Sequence, residues 1–263
     1  MRALLFIAAL LFATPAAADR FSLTYDGAGL GFVPLGHVTV DADVGEAGYN
    51  ITATLQSRGL LNLFERTDLR AQSSGLIQNG AVLWRTYNLD HHYSRKHRTI
   101  SLTVGDDGAI TSVIEPNYRI WGEPPTSDEQ RRRSRDPLSS VIAMSIDVGQ
   151  TRRCAGDYPT FDGRFHYLLE LAGGEIDRFN GAGYRGDVLK CSLAYIAVAG
   201  FQPRDAGRRR IPHGQVWFAL MPDTTFAPVV HISTPLSAGA ATIRLASFRR
   251  ARVDIQNTAS TTP

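Results

Sequence analysis

Cysteine and lysine are both scarce in this chain of 263 residues, which contains only Cys154 and Cys191 and only Lys96 and Lys190. Two cysteines are too few for a small disulfide-rich scaffold, and they are too few to hold a structural zinc ion. Because 43% of the residues are apolar, the chain is neither disordered nor collagen-like. The composition predicts a sizeable hydrophobic core and indicates no particular chemistry.

Long apolar runs are absent after the amino terminus. The first residues combine a basic start at Arg2, an apolar run over Ala3–Ala13 and small residues before Asp19. This order is typical of a secretory signal peptide. The run is shorter than the roughly 20 apolar residues that cross a bilayer. We therefore expect no transmembrane segment once the signal peptide has been removed.

The signal peptide sets the expected domain boundaries. We predict a signal peptide over residues 1–18, cleaved after Ala18, then a single β-rich domain over 19–252 and a flexible tail over 253–263. No cysteine lies beside the cleavage site that could carry a lipid anchor. The sequence thus predicts a freely exported protein.

Export would place both cysteines in an oxidising compartment, where thiols tend to pair. We predict a disulfide between Cys154 and Cys191. Two buried free thiols are the alternative.

Arginine supplies nearly all the positive charge, and it clusters in residues 131–135, 208–210 and 249–252. In a cytoplasmic protein such clusters would indicate nucleic acid, but export removes that partner, so we expect no nucleic acid. Two interpretations stay open. The clusters either contact phosphates of envelope lipids and other anionic polymers, or they are solvated loops and strand ends.

Most of the chain has the two-residue periodicity of strands. In residues 37–44, for example, Val38, Val40, Ala42 and Val44 share one face, and turn residues such as Asn79-Gly80 separate the segments. We count about a dozen strands with mostly short connections. They predict a mainly β fold, an antiparallel meander that forms a curved sheet, an open barrel or a β-spiral.

One helix interrupts the strands. Asp136 before Pro137 matches an N-cap followed by proline at the first helical position, and apolar residues then recur at helical spacing over 137–147. We expect this helix to lie on the concave face of the sheet. Its side chains Leu138, Val141 and Ile142 would then form the wall of a groove.

Recognisable catalytic motifs are absent. The sequence contains no G-x-S-x-G, no H-E-x-x-H and no phosphate-binding loop. His91, His92 and His97 near Asp90 resemble metal ligands, but on one unbroken strand they are too far apart or face opposite ways. A bend, or a partner such as His166, would be needed. We expect no cofactor and no metal, and the role of these histidines stays open.

Several motifs carry a family resemblance: DPLSS from Asp136, FDGRFHY from Phe161, CSLAYIAVAGF from Cys191 and RGLLNLF from Arg58. With them the chain resembles an exported bacterial family known only as domain of unknown function 3108. The resemblance implies a β-rich protein of the cell envelope without an established activity or known site residues. Together with a signal peptide that has no lipid anchor site, it predicts the periplasm.

The sequence favours a non-enzymatic protein whose apolar interior binds a lipid-like or other hydrophobic envelope ligand, or an envelope protein partner. Late segments such as 216–221 are apolar on both faces, as expected around an apolar interior. A hydrolase or other enzyme acting on envelope material is one alternative. A structural or assembly factor of the envelope is the other.

Overall fold

The computed structural model describes residues 17–30, 32–59 and 66–254. Residues 1–16 of the predicted signal peptide, most of the RGLLNLF motif and residues 255–263 of the predicted tail lie outside the described residues. Within the described part the chain forms thirteen strands and three short or medium α-helices. None of these helices is both long and apolar enough to cross a membrane.

The strands form one antiparallel sheet, as the sequence predicts. Their bounds are β1 (Ala17–Gly29), β2 (Val33–Gly45), β3 (Gly48–Ser57), β4 (Thr67–Gln78), β5 (Ala81–Tyr93), β6 (Lys96–Val104), β7 (Ile110–Glu115), β8 (Gly156–Phe161), β9 (His166–Asn180), β10 (Arg185–Ala199), β11 (Gly214–Ala219), β12 (Val229–Pro235) and β13 (Ala240–Asp254).

The sheet consists of two meanders joined through the first and last strands. Its order is β7-β6-β5-β4-β3-β2-β1-β13-β12-β11-β10-β9-β8, so strands that follow one another in sequence are neighbours except at one point. β1 pairs with β13 from Ala17 opposite Asp254 to Ala28 opposite Thr242. The free edges are β7 and β8, and the sheet is therefore not closed.

Along the chain, two helices lie between β7 and β8, and a third lies between β10 and β11. They are α1 (Asp128–Arg132), α2 (Pro137–Thr151) and α3 (Ala206–Arg209), and a 3₁₀ turn over Pro203–Asp205 precedes α3. The helix predicted over 137–147 is confirmed as α2. Its N-cap is Asp136, whose side chain accepts hydrogen bonds from the backbone N–H groups of Leu138 and Ser139. It runs longer than predicted because Val148 and Gly149 continue the buried face.

The sheet curves around α2. This helix contacts β4 and β5 near one edge and β8 at the other. In a flat sheet β4 and β8 would be roughly 43 Å apart, since neighbouring strands are about 4.8 Å apart, whereas a helix is only about 10 Å wide. The sheet must therefore curl until both regions reach one helix, and α2 fills part of the interior.

The disulfide predicted between Cys154 and Cys191 is present. It joins the segment after α2 to β10 across a sequence separation of 37 residues, with 5.5 Å between the two Cα atoms. Both cysteines are buried in the core. The bond therefore anchors the carboxyl-terminal end of α2 to the second meander.

Candidate functional site

A cavity of about 770 Å³ opens at the amino-terminal end of α2. It lies between the first turn of the helix, where Pro137 and Leu138 border it, and the core-facing side of strands β2–β6. Its volume is in the range of sites that hold small ligands.

The strand wall of the cavity is apolar. Alternate side chains of β2–β6 point inward because the side-chain period of a strand is two residues. The aliphatic residues that line the cavity are Val38, Ala53, Leu55, Leu69, Ala71, Leu89 and Ile100. The alternating apolar residues that predict these strands from the sequence are therefore the same residues that form this wall.

Four arginines also line the cavity: Arg98 on β6, Arg164 in the loop before β9, Arg204 in the 3₁₀ turn and Arg208 in α3. Aromatic rings hold three of them in place. The guanidinium carbon of Arg98 lies 4.1 Å from the ring centre of Tyr118, and those of Arg164 and Arg208 lie 4.7 Å and 5.4 Å from that of Phe165. We call these four residues the arginine rim.

The acidic groups near the arginine rim are fewer. Asp205 accepts a hydrogen bond from Arg164 Nη2 at 3.1 Å, and both side chains are largely buried. Asp162 Oδ1 accepts from the backbone N–H groups of Arg164 and Phe165. Burial raises the pKa of Asp162, although these hydrogen bonds oppose the rise. The rim therefore keeps an excess of cationic groups.

Two of the tyrosines that line the cavity add no charge at neutral pH. Burial keeps the pKa values of Tyr87 and Tyr167 well above the ordinary value for a phenol. The site thus combines an apolar wall, neutral aromatic rings and a cationic rim.

A smaller cavity of about 370 Å³ adjoins the first and shares Val38, Leu55 and Thr67 with it. Its remaining wall includes Ile232 of β12 and Ile243 of β13, together with residues of β1–β3. The two cavities therefore lie side by side on the inner face of the sheet, and the smaller one extends toward β12 and β13.

Comparison with known proteins identifies a similar fold but does not assign the chain to a family. No family model matches this chain, and no curated protein matches it. The solved structures include a similar one, described as a β-barrel-like protein of domain of unknown function DUF1849 from Brucella abortus. The TM-score is 0.52 with 9% sequence identity, over 90% of this chain and 99% of that chain. The fold is β-barrel-like.

This β-barrel-like neighbour agrees with the family resemblance only in part. It too is a domain of unknown function, but its number is 1849 and not 3108. Membership of family 3108 stays a prediction.

The predicted groove residues occupy different environments within the β-barrel-like fold. Leu138 borders the large cavity. Ile142 is fully buried in the core, and Val141 packs against that core one turn after Leu138. Neither Val141 nor Ile142 is among the described residues that line the large cavity.

A buried polar cluster fixes α2 to the sheet just behind Leu138. Asp136 Oδ2 accepts hydrogen bonds from Ser73 Oγ, at 2.9 Å, and from Ser139 Oγ. Tyr49 Oη lies 2.5 Å from Ser139 Oγ. Burial raises the pKa of Asp136 to about 6, although the hydrogen bonds from Ser139 and Ser73 oppose the rise.

The histidines near Asp90 are closer together than a single strand allows. His92 pairs with His97 across the β5–β6 hairpin, so the chain turns back between them. His91 points to the other face and borders the cavity. The bend that the sequence analysis requires is present, since residues 94–95 form a tight turn between β5 and β6. His166 is not part of this group within the described residues.

Proposed function

We propose that this protein is a non-enzymatic, exported protein of the periplasm that binds an anionic lipid-like molecule in the cavity at α2. The observation that carries the proposal is the combination of an aliphatic wall with the arginine rim at one cavity. Aliphatic side chains favour acyl chains, while guanidinium groups bind carboxylates and phosphates by charge-assisted, bidentate hydrogen bonds.

Two features support the exported location. The amino-terminal sequence has the pattern of a signal peptide, and a buried disulfide is typical of an oxidising compartment. The resemblance to family 3108 fits the same location.

The enzyme alternative has less support at this cavity. A hydrolase acting through a nucleophile needs a hydroxyl or thiol next to a base. His91, Asp162 and the hydroxyl of Thr67 border the cavity, whereas its described lining contains neither serine nor cysteine.

Ligand uptake by the purified protein tests the proposal. We expect a fluorescent fatty acid to bind wild-type protein and to be displaced by unlabelled fatty acid or phospholipid. Arg98→Gln should weaken binding by roughly ten- to one-hundredfold, because a hydrogen bond to a charged group contributes about 1.5–3 kcal/mol. Arg209→Gln is the matched control, since Arg209 lies next to Arg208 in sequence but does not border this cavity.

A second variant probes the apolar wall. Leu138→Trp places a larger ring at the cavity border and should reduce uptake while the melting temperature changes little. Native mass spectrometry of protein isolated from the periplasm should show a bound lipid mass. Absence of uptake by the wild type, or equal affinities in Arg98→Gln and Arg209→Gln, would contradict the proposal and favour the assembly-factor alternative.

A further inference from the structure

The outer surface of the β5–β6 hairpin carries three exposed side chains whose ligand atoms converge: Asp90, His92 and His97. The Nε2 atoms of His92 and His97 lie 3.1 Å and 2.9 Å from the same oxygen, Asp90 Oδ1. The three ligand atoms lie within 4.8 Å of one another.

Strand geometry brings these residues together. Asp90 and His92 are two residues apart on β5 and so share a face. His97 is the direct cross-strand partner of His92, and side chains at such positions are near neighbours. The two imidazole rings are stacked, with 3.9 Å between their centres.

We propose that Asp90, His92 and His97 form a binding site for a divalent transition-metal ion such as zinc. Two imidazole nitrogens and one carboxylate are ligands for zinc, copper and nickel, whereas calcium and magnesium prefer oxygen alone. Three protein ligands leave a coordination position for water or an external group. This proposal is independent of lipid binding.

The present distances need only a small adjustment. Zinc lies about 2.0–2.1 Å from its ligand atoms, which places those atoms roughly 3.3 Å apart in tetrahedral geometry. Each imidazole must present a lone pair to the ion in place of an N–H group, and the two rings must open from their stack. All three side chains are about half exposed, so they can rotate without disturbing the core.

The neighbouring strand β4 places one acidic and one basic side chain beside this site. On β4, Asp68 pairs with His92, and Arg70 pairs with Asp90. Asp68 adds negative charge beside the site, while Arg70 competes with a metal ion for the carboxylate. The expected site therefore depends on both histidines.

Calorimetric titration of the metal-free full chain with zinc chloride at pH 7.5 tests the proposal. We expect one zinc ion per chain. His92→Gln, His97→Gln and Asp90→Asn should each lower the affinity at least roughly tenfold, since even the loss of an outer-shell partner has that effect in known sites.

Two control variants distinguish zinc binding at this site from zinc binding by other histidines. His37 Nδ1 lies 3.1 Å from Asp26 Oδ1, so this pair has similar groups without the third ligand. His91 lies between the proposed ligands in sequence but faces the cavity. His37→Gln and His91→Gln should both retain wild-type zinc affinity.

Electron paramagnetic resonance with copper(II) gives a direct readout of the ligands. The wild type should show two coordinated nitrogens and His97→Gln one. No binding by the wild type, or equal affinity in His92→Gln, His97→Gln and the controls, would overturn the proposal.

Discussion

Asp136 has two roles at the residue scale. It caps α2 through the backbone N–H groups of Leu138 and Ser139, and it joins the helix to β4 through Ser73. Because the carboxyl group is buried, its ionisation is coupled to folding. At pH values between about 4 and 6 the folded chain retains a proton that the unfolded chain has released.

The first prediction concerns this proton. The contribution of Asp136 to the free energy of unfolding should decrease as the pH rises through 4 to 6, by about 3 kcal/mol for a pKa shift from 3.8 to about 6. Asp136→Asn keeps a neutral group at every pH. The difference in free energy of unfolding between the variant and the wild type should therefore shift in favour of the variant by about 3 kcal/mol between pH 4 and pH 7.

Urea unfolding at a series of pH values measures this difference. Asp106→Asn removes an exposed carboxylate from a turn and serves as the control, with no such gain expected. A difference between Asp136→Asn and the wild type that stays constant with pH would disprove the coupling.

Whether the role of a residue can be predicted from the sequence depends on how local its contacts are. The N-cap role of Asp136 depends on its immediate neighbours and could be predicted from Pro137 and the apolar spacing that follows. The proximity of His92 and His97 depends on a turn at residues 94–95, where Ser94 adopts a positive φ of 53°. Ser-Arg is not a typical turn pair, so the hairpin gave little sequence signal.

At the scale of elements, α2 approaches the loop before β12 very closely. The backbone N–H of Ala227 donates to the carbonyl oxygen of Ser145 at 2.9 Å. Gly149 lies next to Thr225, and a Cβ atom at Gly149 would be only 2.0 Å from the Thr225 carbonyl oxygen. The absence of a side chain is therefore required for α2 to fit inside the sheet.

The second prediction tests this close approach. Gly149→Ala should lower the free energy of unfolding by roughly 1–3 kcal/mol, as overpacking does in other cores. Gly207→Ala is a matched control in α3, because a Cβ atom there meets nothing within 4 Å. It should be neutral or slightly stabilising. Similar losses in both variants, measured by chemical denaturation, would refute the steric explanation.

Helix α2 and the strands could be predicted because their signals are local. The cavity could not be predicted in detail, because its wall combines residues of six strands, the first turn of α2 and arginines from distant segments. Leu138 alone of the three expected groove residues borders it. Ile142 lies in the core because the sheet curls far around α2. The helical periodicity of the apolar residues does not determine this curvature.

At the scale of the whole molecule, the disulfide connects the helix region to the second meander. It closes a loop of 37 residues that contains β8 and β9. Such a crosslink restricts the unfolded chain and stabilises the fold by about 4 kcal/mol on the chain-entropy description.

The third prediction follows from this loop. The double variant Cys154→Ala and Cys191→Ala should melt roughly 10 °C below the oxidised wild type. Reduced wild-type protein should melt close to the double variant, and reductant should not change the variant itself. Wild-type protein whose melting temperature does not respond to reductant would show that the crosslink contributes no stability.

The pairing of β1 with β13 has a consequence for the order in which the chain folds. β1 can pair with its sequence neighbour β2 early in folding, but the partner for its other edge is β13, the last strand in chain order among the described residues. Contacts across this seam, such as Tyr25 Oη with the Val229 carbonyl oxygen, connect residues 204 positions apart. An unpaired edge invites association with other chains. We therefore expect the partly folded chain to be prone to association until β13 has paired with β1.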